Sequence, residues 1–169
     1  QKFFFSSVGQ IPVDRTSSSA GGDLQRAAEE VLSRGDVFGI YPEGTRSPDG
    51  RIYKGRTGMA RIAMATGAPV VLVAMLGTRD ANPIGTSIPR PAKVGIRLSE
   101  QIDPHAWAQE RGYDPQSREV ARPFTDYCMR ALAQLSGNPY VDLYASDVKR
   151  ELEATGRYPE GAQPGGHLE

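Results

Sequence analysis

Apolar runs alternate with segments of helical period along the first half of this 169-residue chain, and that alternation constrains its fold more than any other feature. Leu24, Ala27, Ala28, Val31 and Leu32 fall at i, i+3, i+4, i+7 and i+8. Such spacing lines one face of a helix, and Gly35 supplies the stop. Ahead of it, Ile11-Pro12-Val13 reads as a short strand and Ser17 to Gly22 as a polar loop; behind it, Val37 to Tyr41 reads as a buried strand. Met59, Ile62, Ala63 and Thr66 outline a second helix ending at Gly67. Val70 to Leu76 is nearly all apolar, as in a strand covered on both faces. This strand–helix–strand–helix–strand order predicts an α/β fold, a single domain with a mainly parallel or mixed sheet flanked by helices.

Further along, Val94, Ile96 and Leu98 alternate with Lys93, Gly95 and Arg97, which predicts a strand with one wetter face. Residues 117–136 carry a longer helical pattern through Val120, Phe124, Tyr127, Cys128, Ala131 and Leu135, with Pro123 near its start. Ser146 is the expected cap of a last short helix reaching about Ala154. Residues 1–158 are read as one domain, and the Gly- and Pro-rich residues 159–169 as a disordered tail.

Charge narrows the partners. Twenty basic residues balance twenty acidic ones, so no whole-chain field argues for nucleic acid or a polybasic membrane tether. Arg51, Lys54, Arg56 and Arg61 nevertheless form a local basic cluster. The single cysteine, Cys128, excludes an intramolecular disulfide and fits a reducing compartment. No stretch approaches the roughly 18–20 apolar residues that span a bilayer, so the chain is expected in water or on a membrane surface. It opens at Gln1 and runs straight into Phe3-Phe4-Phe5, with no Met and no signal-peptide layout, and is read as a fragment lacking an upstream part.

The chemistry concentrates in Tyr41-Pro42-Glu43-Gly44-Thr45-Arg46-Ser47, at the carboxyl end of the Val37–Tyr41 run. Ligands of open α/β sheets bind outside that end of the strands. Glycine permits close backbone approach, and Arg with hydroxyl donors suits a phosphate or another oxyanion. Arg15, just past the Ile11–Val13 run, is placed to clamp the same anion from a second side; the competing reading is a solvated Arg paired with Asp14 or Glu43. Gly50-x4-Gly55-Arg56-Thr57 nearly spells a nucleotide-binding loop, but Arg56 replaces the required Lys and a polar turn precedes it, so that reading is rejected. The same segment remains a candidate to close over an anionic ligand. His105 and Glu110 have a His-x4-acid spacing that could put both on neighbouring turns of a helix, yet Asp103-Pro104 marks a helix start and a structural role is expected; His167 lies in the tail. No cluster of ligating residues suits a metal, and none is expected.

These residues resemble a known family. Tyr41 to Ser47 is similar to the Phe-Pro-Glu-Gly-Thr-Arg-Ser block of the glycerophospholipid acyltransferases, in particular the 1-acylglycerol-3-phosphate (lysophosphatidate) acyltransferases. Gly9 to Arg15 resembles the family's Gly-x-Ile-x-Val-x-Arg block, Arg56-Thr57-Gly58 falls where members carry Lys-Lys-Gly, and Ala68 to Val73 resembles a Val-Pro-Val-x-Pro-Val block with Leu72 in place of the second Pro. The ordered set covers residues 9–77. It implies acyl transfer from acyl-CoA or acyl carrier protein, as co-substrate, to a free hydroxyl of a lysophosphatidate-type acceptor, with no cofactor. Arg15 and Arg46 would bind the acceptor phosphate; Glu43, Gly44 and Thr45 would shape the glycerol side, and Ser47 and Arg56 would complete the acceptor site. The family's catalytic His-x4-Asp block is expected upstream of Gln1, so no catalytic base is assigned within the chain.

Two other functions remain open on this reading. One is an inactive lipid-phosphate-binding module that keeps the clamp without the base; the other is a sibling enzyme using glycerol-3-phosphate or a different lysophospholipid. A lysophospholipid acceptor implies work at the cytoplasmic face of a membrane, peripheral or monotopic, and no role for nucleic acid. The Phe3-Phe4-Phe5 triplet is read as core more readily than as membrane contact.

Overall fold

A computed structural model describes residues 20–83, 86 and 88–165. Arg15, the Ile11–Val13 strand, the Phe3-Phe4-Phe5 triplet and His167 therefore lie outside the described residues.

The first described element is the amphipathic helix. α1 spans Ala20–Ser33, turns Ala28 fully inward, and ends where the Gly35 amide donates to the Leu32 carbonyl. Its apolar face packs against α2, Gly58–Thr66, whose Met59, Ala60, Ile62, Ala63 and Met64 are buried. Gly67 closes α2 by donating to the Ala63 carbonyl, as the sequence pattern predicts. The long C-terminal pattern resolves into a 3-10 turn, Arg118–Val120, leading into α5, Ala121–Ser136. Pro123 sits in the first turn of α5, where an absent N–H breaks no intrahelical bond. α5 presents Phe124, Cys128 and Met129 inward, and α2 packs on it, so the main core lies between these two helices. α4, Pro104–Glu110, closes one side of that core with Trp107, whose ring meets Phe124 edge-on at 5.0 Å.

Strand content is mixed. β1, Ile52–Tyr53, pairs parallel with β4, Tyr140–Val141, whereas β2, Val73–Leu76, pairs antiparallel with β3, Gly95–Leu98. The expected α/β class is right. The expected continuous strand over Val70–Leu76 is shorter, with Val70 joined only by a bridge to Ile102. Nor is it covered on both faces. Leu72 and Ala74 point into the core, while Val73 is 46% exposed and stands opposite Leu98, and Met75 stands opposite Ile96. In β3 neither face is buried: Ile96 and Leu98 are exposed, and so is Arg97 between them.

Val37 to Tyr41 is not a strand. An extended segment becomes one only through a ladder partner, and none stands beside it among the described residues, leaving Val37 94% exposed. A short helix α3, Thr78–Ala81, follows β2, and α6, Ala145–Thr155, follows β4. Tyr144, not Ser146, holds the position before α6, and its side chain makes no cap.

A second, smaller core joins Tyr53, Val141, Ala145, Val148 and Ala162. Ala162 is fully buried, and Arg51 donates to the backbone carbonyls of both Ala162 and Gln163. The half-buried guanidinium that fastens this turn is supplied from 111 residues earlier in the chain.

Candidate functional site

The Tyr41–Ser47 segment is shaped by its own residues. Pro42 fixes φ at the second position of a turn closed by the Gly44 amide on the Tyr41 carbonyl at 3.1 Å. Gly44 takes φ +71°, in the left-handed region that glycine occupies at little cost. A β-carbon there would also stand 3.5 Å from Arg56 Nε. The Arg56 amide donates to the Pro42 carbonyl at 2.8 Å, tying the turn to the stretch between β1 and α2.

Gly55, within that stretch, serves close packing and not phosphate binding. A β-carbon on it would approach Met129 Cγ to 2.8 Å and Thr125 Cγ2 to 3.0 Å, both on α5. Its carbonyl is held by Arg122 Nη1 at 2.9 Å, and Arg122 in turn forms an ion pair with Asp126 at 2.7 Å. This agrees with rejecting the nucleotide-loop reading.

Glu43 is the electrostatic centre of the turn. Its Oε2 accepts from the Tyr53 amide at 3.2 Å. Burial pushes its carboxyl up to about 7, against the lowering influence of the Tyr53 hydrogen bond and the Lys149 charge, while Asp49 adds to the rise. A carboxyl balanced near neutrality can meet an alcohol as donor or acceptor. Thr45 Oγ1 accepts from Lys149 Nζ at 2.9 Å, and its own proton remains available to a ligand. Arg46 is exposed and has no hydrogen-bond or ion-pair partner among the described residues.

Ser47 also has partners in the following turn. Its hydroxyl donates to Asp49 Oδ1 at 3.3 Å and accepts from the Gly50 amide at 2.9 Å, so it shapes the next turn. Asp49 itself belongs to a knot: Arg51 Nη2 lies 2.6 Å from Asp49 Oδ2, and the Tyr53 hydroxyl donates to the same oxygen at 2.9 Å. Burial raises the Asp49 carboxyl, but the hydrogen bonds from Arg51 and Tyr53 prevail and hold it below its ordinary value. Of the basic cluster, Arg51 is thus committed to Asp49 and Lys54 to Asp142 at 3.0 Å. Arg56 is exposed, lies 5.0 Å from the Tyr144 ring centroid, and donates to Ser146 Oγ at 3.1 Å.

His105 is structural. Its Nε2 lies 2.7 Å from the Met64 carbonyl near the end of α2, and Asp103 caps α4 by accepting from the His105 and Ala106 amides at 2.9 Å each. Sequence reasoning missed Lys149, Ser146 and Tyr144, which reach the turn from α6 and its leading edge. No local pattern marks them, since 104 residues separate Lys149 from Thr45.

Comparison with known proteins fits this geometry. Residues 1–76 match the family described as Acyltransferase. More particularly, the chain is similar to 1-acyl-sn-glycerol-3-phosphate acyltransferases. The chloroplastic enzyme of Brassica napus is 35% identical over 81 residues, covering 48% of this chain and 24% of its own length. Its counterpart in Arabidopsis thaliana is 33% identical, covering 48% of this chain and 23% of its own length. The crystal structure of the 1-acyl-sn-glycerophosphate acyltransferase PlsC from Thermotoga maritima aligns with a TM-score of 0.52 at 33% identity, covering 68% of this chain and 44% of that one. The chain therefore spans about a quarter of the two plant relatives and less than half of the solved one.

Proposed function

We propose that the whole protein transfers an acyl chain from acyl-CoA or an acyl carrier protein to the free hydroxyl of a lysophosphatidate-type glycerophosphate, and that the Glu43–Arg46 turn receives the acceptor. The observation that carries this reading is the pairing of an unpartnered, exposed Arg46 with a half-buried Glu43 balanced near neutrality. Arg46 offers a two-pronged donor to the phosphomonoester, and Glu43 a hydrogen bond to the glycerol hydroxyls. Binding the phosphate tail in this way holds the reacting hydroxyl in place, which lowers the entropic part of the barrier.

In the transfer, the acceptor hydroxyl oxygen attacks the thioester carbonyl, a general base takes its proton, and the thiol leaves. The resemblance to the acyltransferases implies that the histidine of a His-x4-Asp block, outside the described residues, supplies that base. Both the acceptor and its diacyl product are amphiphiles, so the enzyme works at the cytoplasmic face of a membrane. No described helix is long and apolar enough to cross a bilayer.

Kinetics of Arg46→Ala in the whole protein test this. Loss of one charge-assisted contact, about 1.5–3 kcal/mol, should lower kcat/KM for the acceptor roughly 10- to 100-fold. Arg46→Lys should recover only part of it, because the fork is lost. Acceptor kinetics unchanged in a folded Arg46→Ala protein would remove the turn from the acceptor site. Tight acceptor binding without product in the wild type would favour a binding module.

A further inference from the structure

α6 lies beyond residues 1–76, the part that matches the Acyltransferase family. Even so, Lys149 reaches Thr45 of the Glu43–Arg46 turn, and Ser146 reaches Arg56, whose amide bonds the Pro42 carbonyl. Ser146 and Lys149 are three residues apart and so share one helix face. Ser146 Oγ accepts from Arg56, and Lys149 Nζ donates to Thr45 Oγ1 at 2.9 Å. Tyr144, just before the helix, lies beneath the Arg56 guanidinium. The helix thus meets the turn through Lys149, and the adjoining Arg56 through Ser146 and Tyr144.

Lys149 is the unexplained member. An ammonium carries three donors, and only one is spent, on a neutral hydroxyl. No carboxylate among the described residues lies within ion-pair distance of it, although its charge acts on the Glu43 carboxyl. The nearby acids on its own side are committed, Asp147 to Arg150 and Asp142 to Lys54. Fixing a long, flexible lysine for one neutral hydroxyl recovers little of the freedom it loses. Arg46, next to Thr45 in the chain, and Arg56, whose amide bonds the Pro42 carbonyl, are exposed cations. An ammonium held on Thr45, one residue along the chain from the exposed Arg46, gives this turn a field that suits a doubly charged phosphomonoester.

We propose that Lys149 is a second phosphate ligand of the acceptor site: held by Thr45, its ammonium shares the acceptor's phosphomonoester with Arg46. This rests on the acceptor reading above, and adds to it a residue outside the family's matched segment. Binding to Thr45 sets where the charge sits, and α6 then completes a pocket begun by the turn. Specificity follows: an acceptor without a terminal phosphomonoester forfeits the lysine contact.

The test is calorimetric titration of the 169-residue chain with glycerol 3-phosphate, inorganic phosphate and glycerol. Lys149→Gln keeps a donor for Thr45 Oγ1 and loses the charge, so it separates a tether from an anion ligand. Lys149→Gln and Lys149→Ala should each weaken glycerol 3-phosphate about ten- to hundredfold, and Lys149→Arg should retain most of the affinity. Inorganic phosphate should lose affinity by a similar factor and glycerol by none. Wild-type affinity in folded Lys149→Gln would overturn the assignment, as would an equal loss for glycerol. With Arg46→Ala run alongside, weakening there but not in Lys149→Gln defeats this proposal alone. Absence of any phosphate binding by the wild type defeats it together with the acceptor reading.

Discussion

Glu43→Gln should make the protein more stable at pH 8 and leave its stability near pH 4 almost unchanged. The wild-type carboxyl titrates near 4.5 when unfolded and about 7 when folded. A raised acid binds its proton more tightly in the native state. Below the unfolded value both states are protonated and the group contributes nothing. As pH rises from 4.5 toward 7 the unfolded state ionises first, so folding stability falls; above about 7 the cost is complete. A full gap of about 2.5 units corresponds to about 3 kcal/mol at about 1.4 kcal/mol per unit. Glu43 is only half-buried, so solvent screening reduces this to about 1–2 kcal/mol. Glutamine keeps an oxygen to accept from the Tyr53 amide and carries no charge to bury. Urea unfolding of both proteins at pH 4 and pH 8 measures the difference, and the pH dependence of every other group is common to the pair and cancels. Equal stability of the two proteins at pH 8, or a gain of the same size at pH 4, would refute the reasoning.

Other consequences follow from packing. Gly55→Ala drives a β-carbon against Met129 and Thr125, both fully buried, and should cost about 1–3 kcal/mol in urea unfolding. His105→Ala removes the ring from the Met64 carbonyl and should lower stability by about 1 kcal/mol while leaving acceptor kinetics of the whole protein unchanged. Burial pushes the Cys128 thiol up to about 12, so alkylation by iodoacetamide at pH 8 should follow global unfolding and accelerate only with denaturant.

The sequence made the local features legible and left the long-range ones hidden. α1 was readable because its period, its inward Ala28 and its Gly35 stop all lie within one short window. α2 with Gly67 was readable for the same reason. The turn's chemistry was visible as residue types, and Gly44 and Thr45 play the conformational and hydrogen-bonding parts those types allow. Strand faces were not readable from pattern alone. Ile96 and Leu98 look like core positions, yet whether either face of β3 is covered depends on what lies across the sheet. Val37 to Tyr41 has strand composition and no ladder partner among the described residues. Ser47 shows how a hydroxyl near a ligand loop can belong to the neighbouring turn, through Asp49 and Gly50. Lys149 and the Arg51 clasp on Ala162 depend on side chains meeting across more than a hundred residues, which no local window contains.

The central claim is that the Glu43–Arg46 turn holds a glycerophosphate. Amide chemical-shift mapping of the isotopically labelled chain during titration with glycerol 3-phosphate tests it most directly. The account predicts saturable shifts concentrated at Gly44, Thr45, Arg46 and the Arg56 amide that bonds Pro42, and no such response to glycerol alone. Saturable shifts centred elsewhere, with these amides unmoved, would contradict it.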